Sequence, residues 1–265
     1  MSYKVPKNLL SFKNAKTVKG EKKGVLTAIL YLAPYTQNSK GINLCSHASE
    51  GCAKACLFGS GAARFTQVQA GKINKTEYFL HDRKNFLLQL QFEIARIVRL
   101  HSADWDIAIR LNGTSDIPFF KFKIFEGKNI FELFPHVQFY DYTKNHLSFN
   151  KELPSNYHLT FSRSETNHKE SLELLKRGFN VAMVFGVKNN SQLPKTYMGY
   201  KVIDGDENDL RYLDPKNVIV GLKYKNLTGK GSKGKNDYSE NDFIIKVPNK
   251  TISYEYQPIK SSILV

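Results

Sequence analysis

Several familiar devices are missing from this chain of 265 residues. No uninterrupted apolar run approaches the roughly 20 residues a membrane-spanning helix needs, and the opening stretch, MSYKVPKNLL, lacks the apolar core of a secretory signal. No membrane association is expected, and the cytoplasm is the expected compartment. No G-x-x-x-x-G-K-[ST] loop and no G-x-G-x-x-G after a strand offers a phosphate cradle. TFSRSE, residues 160–165, has no nucleophile-elbow pattern, so its serines and Arg163 suggest ligand binding rather than acyl transfer. DGDEND puts Asp204, Asp206 and Asn208 at the first, third and fifth places of a calcium loop. Asp209 then stands where glycine is required and Pro215 where the closing glutamate belongs, which argues against calcium.

Cysteine is scarce and oddly placed. All three, Cys45, Cys52 and Cys56, lie in NLCSHASEGCAKACLFGSG, residues 43–61. An odd number cannot pair within one chain, and a reducing compartment disfavours structural disulfides. Buried cysteines that serve only packing scatter through strands and helices, whereas these share one segment rich in Gly, Ser and Ala. Metal binding is the better explanation, and it leaves two candidates. Three thiolates can occupy three irons of a 4Fe-4S cluster and leave the fourth open to a small molecule. Alternatively, three thiolates and a histidine, His47 or His81, make a closed zinc site. Neither of the close C-x2-C pairs usual for structural zinc is present.

What is plentiful is basic charge: 39 Lys and Arg against 24 Asp and Glu, a net +15. Such an excess suits a polyanion, with affinity from phosphate neutralisation, although lysine-rich composition can also simply solvate a surface. The densest stretch, KYKNLTGKGSKGK at 223–235, reads as a basic loop able to touch phosphates. A nucleic acid or nucleotide is therefore a candidate partner.

Along the chain, KGEKKG at 19–24 predicts a hairpin turn closing a Lys-rich N-terminal segment of about residues 1–24. VLTAILYLAP (25–34) reads as a buried strand ended by Pro34, and apolar residues spaced by three and four from about Gln67 to His101 read as helix. Six further short apolar runs end in polar residues: IAIRLNGTSD, VQFYDYTK, YHLTFSRSE, VAMVFGV, YKVIDGDEND and VIVGLKYK, with the helical KESLELLKRG at 169–178 between two of them. Strands alternating with crossovers predict one α/β domain spanning 1–265, a parallel-stranded complete or partial (β/α) barrel, with a basic C-terminal segment from about 223 to 265.

Ligands of such sheets bind beyond the carboxyl ends of the strands. That rule gathers Asn112, Gly113, Thr114, Ser115 and Asp116; Asp141 and Lys144; Ser162, Arg163 and Glu165; and Asp206. Arg64 of the glycine-rich GSGAAR turn joins them as a possible carboxylate or phosphate partner. We expect Asp116, Asp141, Lys144, Arg163, Glu165 and Asp206 to serve chemistry, and Asn112, Gly113, Thr114, Ser115, Arg64 and Ser162 to contact a cofactor.

The order of strand, cysteine loop and long helix resembles the radical S-adenosylmethionine enzymes. In those, three cysteines after the first barrel strand hold a 4Fe-4S cluster whose open iron takes S-adenosylmethionine. Carried over, Cys45, Cys52 and Cys56 become ligands, spaced C-x6-C-x3-C in place of that family's common C-x3-C-x2-C. NGTSD, residues 112–116, stands where the amino group is contacted. A second resemblance runs through LCSHASEGCAKACLF, IRLNGTSDIP, FYDYTK, YHLTFSRSETN and VIDGDENDLRYLDP, which look like the phage and plasmid family called gene product eighty-eight. It implies a mobile-element origin and a bacterial host, and brings no assigned reaction. The leading expectation is a cluster-bearing, radical-type enzyme acting on a nucleotide or nucleic-acid-linked substrate. The rival is a non-enzymatic DNA- or RNA-binding protein folded around zinc or a cluster.

Overall fold

A computed structural model describes residues 3–12, 17–56, 58, 61–187, 192–225 and 241–247. In chain order they form β1 (Leu10–Ser11), α1 (Thr17–Glu21), β2 (Val25–Leu30), α2 (Glu50–Lys54), α3 (Thr66–His81), α4 (Arg83–His101), β3 (Asp106–Arg110), α5 (Ile130–Leu133), β4 (Gln138–Thr143) and β5 (Tyr157–Ser162). They continue with α6 (His168–Lys176), β6 (Val181–Phe185), β7 (Thr196–Tyr197), β8 (Tyr200–Asp204), β9 (Ile219–Lys223) and β10 (Ile244–Ile245). All seven strands expected from the apolar runs are present. They run parallel in the order β2-β3-β4-β5-β6-β9-β8, so their carboxyl ends share one edge.

Alternation along the strands separates two faces. Leu26, Ala28, Ile107, Ile109, Phe139, Leu159, Phe161, Val181 and Met183 point to the side where α3, α4, α5 and α6 pack. There Phe79, Phe86, Leu90, Phe131 and Leu175 complete the main core. On the other face Val25, Ala108 and Tyr140 pack against Leu210 and Tyr212, residues of the β8–β9 connection. That connection is polar at its heart, for Arg110 Nη1 meets Asp209 Oδ2 at 2.9 Å and both side chains are buried.

The sheet is open. β1 pairs antiparallel with β2 at one end, and β7 pairs antiparallel with β8 at the other. Closure as a complete barrel would require β8 to pair with β2, but each already has its outer edge occupied, which corrects the complete-barrel expectation. The order also swaps at the end, with β9 inserted between β6 and β8. A further departure bears on the site. β5 pairs with β6 only at Val181 and Ala182, after which β10 takes that side of β6 at Val184 and Phe185.

Two local readings change. KGEKKG is not a hairpin turn: Thr17–Glu21 is helical, with Gly20 pressed between Thr27, the Val25 carbonyl and Leu210, and the chain reverses only at Gly24 (φ 73°). The single helix expected from 67 to 101 is two, broken at Asp82 (φ −141°, ψ 63°), whose side chain accepts the Asn85 N–H and so caps α4. Most of the basic 223–235 loop and of the C-terminal segment, 226–240 and 248–265, lies outside the described residues.

Candidate metal centre

The chain from β2 to α3 crosses the carboxyl edge and carries every cysteine. Its start is fixed by Ala33 N–H donating to Thr76 Oγ1 at 2.8 Å. Tyr35 then takes a left-handed backbone (φ 55°), uncommon for a residue with a side chain, and turns the loop back. The backbone of Leu44 ties this turn to the β3 loop, donating to the Tyr35 carbonyl at 3.3 Å and accepting from Asp116 N–H at 2.9 Å. Ser49 caps α2 by accepting from Cys52 N–H at 3.2 Å. Glu165, from beyond β5, clasps the same turn, its carboxylate accepting from Ser49 Oγ and from Gly51 N–H, both at 2.7 Å. Asn241, just before β10, donates to the Gly51 carbonyl at 3.1 Å. A Cβ at 51 would stand 2.5 Å from Asn241 Oδ1 and 2.7 Å from Glu165 Oε1, so a side chain there would push both of these side-chain ends out of the clasp.

The three thiols are free of disulfides and half-buried. Burial pushes Cys45 up to about 11; a backbone N–H from Tyr35 works against this, and the nearby charges of Cys56, Asp116 and Cys52 add to it. Burial also raises Cys56, with the charge of Cys52 adding, while a backbone N–H from Phe58 and the ammonium groups of Lys72 and Lys144 oppose it. Tyr35, whose hydroxyl donates to the Ser49 carbonyl at 3.0 Å, is raised by burial and then by the charges of Cys52, Cys45, Cys56 and Glu165. A thiol held as high as Cys45 is a poor nucleophile near neutrality. Among the described residues no three of His, Cys, Asp and Glu gather tightly enough for a single metal ion. His81 is engaged by Glu77 at 3.2 Å and His47 lies 3.0 Å from Ser46 Oγ.

Around the thiols the structure sorts the expected residues into three groups. Asp116 stands at the centre: its Oδ2 accepts from Thr143 Oγ1 at 3.1 Å and from Lys144 N–H at 3.0 Å, and burial raises its carboxyl. Lys144 Nζ reaches Ser162 Oγ at 2.9 Å, and Cys45 Sγ lies 3.6 Å from the Thr114 carbonyl. Asp116, Thr114, Lys144, Ser162 and Glu165 thus border the cysteine segment.

A second group shapes loops. Asn112 donates to Asp141 and the Ile117 carbonyl and accepts from Ser115 Oγ and Ile117 N–H, so its side chain is fully used. Gly113 packs under Tyr31, where a Cβ would sit 2.6 Å from the ring. Asp141 lies within β4, 1% exposed, accepting from Asn112 and Tyr157, and burial pushes it up to about 7. Arg163 donates to the carbonyls of Asp242 and Phe243 at 2.6 and 2.9 Å and so holds β10 in its slot.

The third group stands apart. Asp206 pairs with Lys225 at 2.9 Å beside a cavity of about 430 Å3 that it shares with Lys19, Asp204, Glu207 and Lys223. Arg64 is exposed, 5.4 Å over the Phe65 ring.

The family pattern described as Gene product 88 matches residues 8–238. The chain belongs to that family. No curated protein and no solved structure matches it. The Gene product 88 span takes in all three cysteines, the NGTSD loop, Lys144 and Glu165, and stops before Asn241 and β10. Within this Gene product 88 chain, sequence reasoning missed Tyr35, Ser49, Lys72, Asn241 and Phe243. Ser49 three residues before Cys52 was a readable cap signal. The other four reach the site through tertiary packing and left no local mark.

Proposed function

We propose that Cys45, Cys52 and Cys56 hold a 4Fe-4S cluster and that the chain is a radical-type enzyme using S-adenosylmethionine. The observation carrying this reading is the cysteine segment itself: three disulfide-free sulfurs that feel one another's charge, at the carboxyl edge of a parallel sheet. In a four-iron cube the three thiolates would sit on separate irons. Such a cluster, when bound, supplies one-electron chemistry and an open iron for a small molecule.

The protein's own groups would do the rest. The backbone at Tyr35 and at Phe58 works against the upward push of burial on Cys45 and Cys56, which favours thiolate charge. Glu165 and Ser49 fix the turn that aims Cys52, and Asp116, Lys144 and Ser162 present polar atoms to a ligand beside it. Apolar Phe243 and Ile244 pack against Cys52 and limit water. The sequential order β2 to β6 with helices on one face supports reading the sheet as a partial barrel. Net charge +15 supports a nucleotide or nucleic-acid-linked substrate in a reducing cytoplasm. The rival reading is a zinc-folded binding module with His47 or His81 as the fourth ligand. The test is incubation of anaerobically reconstituted protein with S-adenosylmethionine and dithionite. Release of 5'-deoxyadenosine is expected, and a cluster-loaded protein that releases none contradicts the radical reading.

A further inference from the structure

A groove of about 560 Å3 runs between α4 and the chain leading into β1, and no residue of the cysteine segment lines it. Its walls are Val5 and Lys7 on one side and Leu88, Phe92 and Arg96 on the other, with buried Tyr78 behind them. Phe92 and Val5, 69% and 64% exposed, are the two most exposed large apolar side chains among the described residues, and both line this groove. An apolar side chain exposed singly needs no explanation, but two brought together in a hollow mark an interaction site. The walls are fixed. Glu93 accepts from the Leu9 and Leu10 N–H groups at 2.7 and 3.0 Å, and Gln89 donates to the Pro6 carbonyl at 2.8 Å. The Lys4 backbone exchanges bonds of 2.8 and 2.6 Å with the Asn74 side chain, and the Tyr3 ring stacks on Tyr78. The shape of the groove is thus set in advance, which lowers the cost of filling it.

The charge available there has one sign. Lys7 and Arg96 line the groove, and Lys4, Lys84 and Arg99 stand exposed on the same two stretches of chain. Asp82 and Glu93 also line it but are spent within the protein, Asp82 on Asn85 and Tyr3, Glu93 on the β1 backbone and Gln89. We infer that this groove docks a segment of a partner protein in which apolar side chains are flanked by carboxylates. The inference does not depend on what the cysteines hold. A second copy is disfavoured because each chain carries a net +15. Single-stranded nucleic acid calls for a row of aromatic faces, and Phe92 is the one exposed ring in the lining. A lipid surface calls for apolar groups that project into it, whereas these line a hollow.

The experiment is selection of a displayed library of random peptides on the full-length protein. Fluorescence anisotropy of the most enriched peptide follows, with wild type, Phe92→Ser, Arg96→Glu and, as a control at an exposed ring outside the groove, Phe125→Ser. Melting should stay near wild type in all three variants, since exposed side chains contribute little to folding. The enriched peptides should combine apolar residues with Asp or Glu. Phe92→Ser and Arg96→Glu should each weaken binding by about tenfold or more, Phe125→Ser should leave it unchanged, and added salt should weaken it in wild type. No enrichment, enriched peptides without acidic residues, or binding that Phe92→Ser leaves intact overturns the inference. Self-association in sedimentation, or binding of oligothymidylate or of phosphatidylglycerol vesicles, overturns it as well if Phe92→Ser abolishes that binding, because the groove then has another occupant.

Discussion

The clasp of Glu165 on the cysteine turn lends itself to a quantitative test through Glu165→Gln. The carboxylate accepts two bonds of 2.7 Å, one from Ser49 Oγ and one from Gly51 N–H. Glutamine keeps the shape but has a single acceptor oxygen, so its NH2 must face one of two donors. One charge-assisted bond disappears and the other weakens to a neutral one. With such bonds contributing about 1.5–3 kcal/mol each and neutral ones about 1 kcal/mol, the loss is about 2–5 kcal/mol. That amounts to roughly a 30- to 4,000-fold less favourable closure of the turn. The turn lies at the sheet's edge and Glu165 is half-buried, so the effect should be local. Far-UV circular dichroism and the main melting transition should stay near wild type, while iron retained after anaerobic reconstitution and desalting falls several-fold. A Glu165→Gln protein that keeps iron as wild type does would refute the clasp. The pH dependence has a definite sign. Burial raises Glu165, but the bonds from Ser49 and Gly51 and the charge of Arg163 hold it below the ordinary carboxylate range. Its contribution is therefore present at neutral pH and fades as acid drops below that range.

Four further outcomes follow from the same contacts. Asp141, raised by burial to about 7 from 3.8, binds its proton more tightly folded than unfolded. Its contribution is full below the unfolded value and is lost, by about 4 kcal/mol at 1.36 kcal/mol per unit, as pH rises through the folded one. Asp141→Asn should accordingly flatten denaturant midpoints across that range, and an unchanged slope would tell against the assignment. Gly51→Ala should cost about 1–3 kcal/mol through its contacts with Asn241 and Glu165, read as a lower urea midpoint. Arg163→Met should release β10, seen as faster amide exchange at residues 243–245 while β2 to β4 keep their protection. Affinity for single-stranded DNA should fall steeply with salt if the net +15 serves a polyanion; binding indifferent to salt removes that partner.

Strands such as VAMVFGV and VIVGLK were legible because each carries a dense apolar run that only burial on both faces explains, whereas β8 is half-exposed along its length. The shared carboxyl edge followed from their direction, and with it the company of Asp116, Lys144, Ser162 and Glu165 around the thiols. Strand order was not legible: the β9–β8 swap and the slot taken by β10 depend on long-range pairing that leaves no periodic trace. Asp141 misled because a polar residue near a strand's end looks the same whether it faces a ligand or, as here, secures Asn112 from inside the sheet. Arg163 likewise carries a charge suited to an anion but spends it on two carbonyls of the β10 segment. Lys72 went unread because a lysine in a long helix normally faces solvent, and only the meeting of Tyr31 and Phe58 covers it.

The most direct measurement is iron and acid-labile sulfide per chain, with the visible spectrum, for protein reconstituted without oxygen, in wild type and in Cys45→Ala, Cys52→Ala and Cys56→Ala. The account predicts about four of each in a brown wild type that bleaches with dithionite, and a marked loss of both in every alanine variant. A colourless wild type carrying about one zinc, or alanine variants that bind iron as well as the parent, would contradict it.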